Sequence, residues 1–94
     1  MFVINLRYIK PIEEIDAHLI AHRNFLGEGY KNQAFIASGP KNPRDGGIIL
    51  SQLKDRKTLE NLIKQDPFYI HQLAEYEIIE FTPVKFHPDF EKFL

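Results

Sequence analysis

The sequence predicts an α+β domain of the ferredoxin-like, βαββαβ kind, and three observations carry that prediction. Four short segments have strand character, two longer ones repeat apolar residues at helical spacing, and Gly, Pro and Asp punctuate the joins. Their order is strand, helix, strand, strand, helix, strand, which matches the split βαβ arrangement, in which two helices cover one face of a four-stranded antiparallel sheet.

Phe2 to Ile9 reads as the first strand, with Phe2, Ile4, Leu6 and Tyr8 on one face and Val3, Asn5, Arg7 and Ile9 on the other. Pro11 opens the first helix, since proline is tolerated in a first turn and Glu13, Glu14 and Asp16 suit the positive end of the helix dipole. Its apolar stripe is Ile12, Ile15, Leu19, His22, Leu26, after which Gly27 and Gly29 predict a stop. Gln33 to Ser38 reads as the second strand, Gly39 to Gly47 as a loop, and Ile48 to Leu53 as the third strand, with Asp45-Gly46-Gly47 as the turn signal. Asp55 or Thr58 caps a second helix carrying Leu59, Leu62 and Ile63, which ends near Gln65 because the residue before Pro67 disfavours helical torsions. Pro67 to Leu73 suggests another short turn of helix and Ala74 to Phe81 a last strand. The domain therefore covers residues 1–84. Residues 85–94 form a tail with Phe86, Phe90 and Phe93, expected to pack on the domain or on a partner.

At 94 residues the chain is one domain with a modest capacity for burial, so self-association is a fair expectation. The strands are apolar on both faces: Tyr76 and Ile78 point opposite to Ile79 and Phe81, and Ile49 and Leu53 opposite to Ile48 and Leu50. A bare apolar face invites aggregation, which predicts a homodimer packed sheet to sheet. The formal net charge of -1 supplies no field that would draw nucleic acid or an anionic membrane. The absence of cysteine removes thiol nucleophiles, thiolate metal sites and disulfides. Without a basic leader or a long apolar run, the expectation is an unprocessed cytoplasmic protein.

His22 is the exception in the helical stripe, because an imidazole stands where an aliphatic side chain would pack. Two readings are open: a core histidine with satisfied nitrogens, or a general base tuned by a carboxylate partner. Asp66 likewise reads either as the N-cap of a helix that starts with Pro67 or as that partner, and one carboxylate can serve both. Ser38, Gly39 and Pro40 lead into the long loop, where Gly39 permits close approach to a ligand and Lys41 or Arg44 offers charge. This loop lacks the Gly-Lys-Ser/Thr ending of a phosphate loop. His18 lies four residues before His22, yet no Glu follows it and no further ligands are evident, so no metal is expected. Arg7, Arg23 and Tyr8 are candidates to line a pocket near the first strand and helix, although exposed ion pairing is the commoner fate of such arginines.

These residues carry a resemblance. Ala21-His22-Arg23 with Phe25-Leu26, Ala37-Ser38-Gly39-Pro40 leading to Pro43-Arg44-Asp45-Gly46-Gly47-Ile48-Ile49-Leu50, then Asp66-Pro67-Phe68 and Ala74 to Pro83, follow one another in an order and spacing that resemble the YCII-related (YciI-like) family. The resemblance spans Phe2 to about Val84 and implies a ferredoxin-like protomer that dimerises through its sheet into an α+β barrel. It also implies that the family's functional histidine and aspartate fall on His22 and Asp66, and it leaves His18 out. The tail from Lys85 onward goes beyond the family core. Relatives by fold include isomerases, monooxygenases and dehalogenating enzymes of small ring compounds, and fold alone does not choose among them. The expected function is a cofactor-independent enzyme of a small organic acid or ring compound, of the isomerase or lyase type. In it His22 transfers a proton, Asp66 orients the imidazole, and Arg7, Ser38, Gly39 and Pro40 contribute to ligand binding. The alternative is a non-catalytic small-ligand-binding or regulatory module that uses the same pocket.

Overall fold

Strict alternation in the first strand decides the layering. In the computed structural model, which describes residues 1–94, β1 (Phe2–Tyr8) buries Phe2, Ile4 and Leu6 and leaves Val3, Asn5 and Arg7 on the other side. β1 is a central strand. It pairs antiparallel with β3 (Gly46–Ser51) on one side and β4 (Ala74–Glu80) on the other, and β2 (Phe35–Pro40) lies outside β3, giving the order β2-β3-β1-β4. Ile4 stands opposite both Ile49 and Ile78, so the register lays one apolar row across the sheet. This is the predicted ferredoxin-like arrangement.

The helices α1 (Ile12–Ala17), α2 (Leu19–Lys31), α3 (Arg56–Ile63) and α4 (Pro67–Ile70) close the core. Ile15, Leu59, Ile63 and Phe68 bury against Phe2, Ile4 and Leu6 in one cluster. The Asp55 side chain accepts the Thr58 amide at 3.0 Å and the Thr58 hydroxyl at 2.6 Å, so Asp55 is the cap of α3. No helix is long and apolar enough to cross a membrane.

Several boundaries differ from the sequence reading, among them β2, which starts at Phe35 rather than Gln33 and takes in Gly39 and Pro40, and β3, which ends at Ser51 rather than Leu53. The first helix divides at His18, whose backbone at φ -112 and ψ 9 is not helical, so α1 and α2 are separate segments. Gly27 and Gly29 do not stop α2. Gly29 lies where α2 crosses Phe35, and a Cβ there would collide with the Phe35 ring, so this glycine serves a close crossing. The helix ends instead at Lys31 with Gln33 left-handed at φ 59 and the Ala34 amide donating to the Gly29 carbonyl at 2.8 Å, a Schellman stop. Gly46 and Gly47 belong to β3, because Gly46 packs against the Leu6 carbonyl where a side chain has no room.

The second face of the sheet carries Val3, Leu50, Ile79 and Phe81 beside Asn5, Arg7, Glu75 and Glu77. Ile79 is 46% exposed and Phe81 42%. In the tail, Pro88–Phe93 forms a 3-10 turn that buries none of its residues, with the Phe90 and Phe93 rings edge to face at 5.3 Å.

Candidate active site

His22 lies on the face of α2 that turns inward, and Asp66 stands at the head of α4, 44 residues later. The fold brings them together: His22 Nδ1 is 2.8 Å from Asp66 Oδ1. Asp66 is wholly buried and His22 is 9% exposed. Asp66 also caps α4, since the same Oδ1 accepts the Phe68 amide at 3.0 Å. The other oxygen, Oδ2, accepts the Tyr76 hydroxyl at 2.6 Å. One oxygen of Asp66 therefore both caps α4 and bonds the His22 ring. Phe68 is buried as a packing residue, and its ring also stacks on the imidazole at 3.9 Å and 4°.

These contacts fix the ring of His22. A carboxylate only accepts hydrogen bonds, so Nδ1 is the nitrogen that carries the hydrogen, and in the neutral ring Nε2 holds the lone pair. Nε2 has no protein partner, and it is absent from the buried unpartnered atoms, among which Asn5 Oδ1 stands alone. His22 also lines a cavity. That cavity has a volume of about 500 Å³ between α2, α4 and the sheet, with Leu6, Leu19, Leu26 and Phe68 among its apolar walls.

The family model for the YCII-related domain matches residues 1–82 of the 94. The chain belongs to the YCII-related family. No curated protein matches it. Among solved structures, this YCII-related chain is similar to 5-chloro-2-hydroxyhydroquinone dehydrochlorinase (TftG) from Burkholderia phenoliruptrix AC1100, in complex with 2,5-dihydroxybenzoquinone. The TM-score is 0.72 over 87% of this chain and 94% of that one. At 14% identity the likeness is one of fold.

The other sequence candidates of the YCII-related chain divide. Ser38, Gly39 and Pro40 line the same cavity as His22, at the end of β2. Ser38 Oγ lies 2.6 Å from the Tyr30 hydroxyl, and Pro40, having no amide hydrogen, contributes wall only. Arg7 is a correction: it sits on the opposite face of the sheet, ion-paired with Glu75, because strand alternation puts residue 7 out of phase with Leu6 and Tyr8. The arginines that do line the cavity are Arg23 and Arg44. His18 points elsewhere and stacks on His71 at 4.0 Å.

Tyr76 was not legible as a site residue, because an aromatic on a strand reads as packing. Burial first, then the charge of Asp66 and the bond to it, push its phenol well above the ordinary range. The sign of the linkage follows. Above about pH 10 the unfolded chain has released a phenolic proton that the folded protein keeps, so stability is full below that pH and falls as pH rises. Tyr76→Phe is expected to lose about 1.5–3 kcal/mol at neutral pH, as for a hydrogen bond to a charged group. Its stability should decline less steeply between pH 9 and 11 than that of the wild type. Urea midpoints across that range check both.

Proposed function

We propose that this YCII-related protein is a cofactor-independent enzyme of a small ring compound or organic acid, of the isomerase or lyase type, with His22 as the proton-transfer group and Asp66 as its orienting partner. The observation that carries this reading is the imidazole held at Nδ1 by Asp66 at 2.8 Å in a residue that lines a cavity large enough for a single ring. Nε2 takes a proton from a substrate O–H or C–H, and the electron pair left behind enters the ring. In an isomerase the proton returns at another position; in a lyase a leaving group departs as its anion. Asp66 balances the imidazolium, and Ser38, Arg23 and Arg44, which line the cavity, supply donors for a developing oxyanion. That a protein of the same fold is a dehydrochlorinase of a hydroxylated, chlorinated ring supports the substrate class.

The test is to incubate the protein with a panel of hydroxylated and halogenated rings in D2O and follow them by NMR. Protein-dependent exchange of a ring C–H, or release of halide, supports the enzyme. Binding without either would make this a ligand-binding module.

The reading includes a homodimer joined through the open sheet face, with Val3, Leu50, Ile79 and Phe81 at its centre and the aromatic tail lying across the partner. Sedimentation at 10 micromolar is expected to give twice the 11.0 kDa of the chain, and Leu50→Glu should shift it to monomer. A wild-type monomer at that concentration would sink this part.

A further inference from the structure

The charges around the cavity are one-sided. Arg23 and Arg44 both line it, and neither an Asp nor a Glu does. The carboxylate of Asp66 is wholly buried behind His22 with its oxygens taken by three donors, so no acidic oxygen opens on the cavity. Arg44 has one counter-charge, Asp16 of α1 at 2.6 Å, which approaches from outside the lining. Arg23 takes part in no ion pair and in no side-chain hydrogen bond. Arg23 and Arg44 are thus the charged side chains open to the cavity besides His22, beside walls made by Leu19, Leu26 and Phe68.

We infer that the ligand of this cavity is a compact apolar body, one ring in size, bearing negative charge on oxygen, with that charge held by Arg23 and Arg44 and the body against Leu19, Leu26 and Phe68. The inference rests on the cavity being the substrate site of the proposed enzyme, and it names the substrate class: an aromatic carboxylate, or a phenol or hydroxyquinone ionised at neutral pH. A guanidinium is matched to oxyanions by its planar donor fork and is weakly hydrated, so it gives up little water when a carboxylate or enolate arrives. A cleft of one charge sign beside low-dielectric walls also concentrates ligands of the opposite sign. The apolar walls set the rest of the selectivity, because a fully hydrophilic anion would leave them wet. The anchor and the proton-transfer group are separate: two arginines hold charge, and His22 Nε2 reaches a proton elsewhere on the ring.

The experiment measures affinity by calorimetry for three matched pairs: benzoate and benzamide, salicylate and salicylamide, 2,5-dihydroxybenzoquinone and 2,5-dimethoxybenzoquinone. At least one anion is expected to bind tenfold or more tighter than its neutral counterpart, with the preference weakening as salt rises. Arg23→Gln and Arg44→Gln should each lower that affinity about tenfold, whereas His22→Ala should change it by less than threefold. Both arginines are exposed, and an unchanged melting temperature confirms that each glutamine variant folds. Equal affinity within every pair, no anion binding at millimolar concentration, or full anion affinity in both glutamine variants overturns the inference. Failure of the proton-transfer reading is distinguishable: it would show as anion binding that depends on the arginines together with turnover that survives His22→Ala.

Discussion

Replacing His22 by alanine is expected to lower turnover about a hundred- to ten-thousand-fold, the usual contribution of a positioned general base, with little change in KM. The small KM effect follows from the proposed division of labour among residues that line the cavity, in which Arg23 and Arg44 would hold the substrate and His22 would touch only the proton in flight. The variant should still fold. Asp66 keeps the Phe68 amide at 3.0 Å and the Tyr76 hydroxyl at 2.6 Å, and the space vacated above the Phe68 ring opens into the existing cavity rather than forming a sealed void. The stability cost should therefore stay near that of one hydrogen bond to a charged group, about 1.5–3 kcal/mol. Added imidazole should restore part of the rate, because the lost group is a base and the space for it remains. Wild-type turnover in His22→Ala would remove His22 from the chemistry.

How much of this was legible before the structure depended on which interactions are local. The helical stripe Ile12, Ile15, Leu19, His22, Leu26 marks His22 as inward-facing because facing a core is a matter of spacing, and the imidazole stands out against its aliphatic neighbours. Asp66 before Pro67 announces a cap for the same local reason. That the two meet across 44 residues is a tertiary fact, which resemblance implied and periodicity did not contain. Gly29 was read as a stop because glycine is a poor helix former, whereas its role is to let α2 cross Phe35 closely, a demand invisible until the partner strand is placed. The break at His18 has no proline or glycine to announce it. Arg7 reads as a pocket candidate by its charge alone, while its alternation with Leu6 and Tyr8 places it on the far face. Tyr76 shares a face with Ile78, and nothing local distinguishes a tyrosine that packs from one whose hydroxyl holds Asp66.

Asp66→Ala and Asp66→Asn are expected to separate the two roles of this carboxylate. Alanine removes the acceptor for His22 Nδ1, the Phe68 amide and the Tyr76 hydroxyl together, in a residue with no exposure, so three donors are left without their partner around a small cavity. A buried donor left unsatisfied costs about 1–3 kcal/mol, so three together take a large part of the roughly 5–15 kcal/mol that holds a domain folded. The loss should appear in the urea midpoint as a drop near half of the wild-type value or more. Asparagine is almost the same shape. Its carbonyl oxygen can take the place of Oδ1, accepting from Phe68 and from His22, and its amide can donate to the Tyr76 oxygen once that hydroxyl turns away. Stability should fall less, by about 1–3 kcal/mol, while turnover falls by more than that loss explains, because a neutral amide no longer balances the imidazolium formed when Nε2 takes the proton. Measuring kcat and the urea midpoint in both variants reads the two effects apart. Asp66→Asn with full turnover would mean that the carboxylate caps α4 and orients a ring without acting on its charge, since a neutral amide does both of those tasks as well.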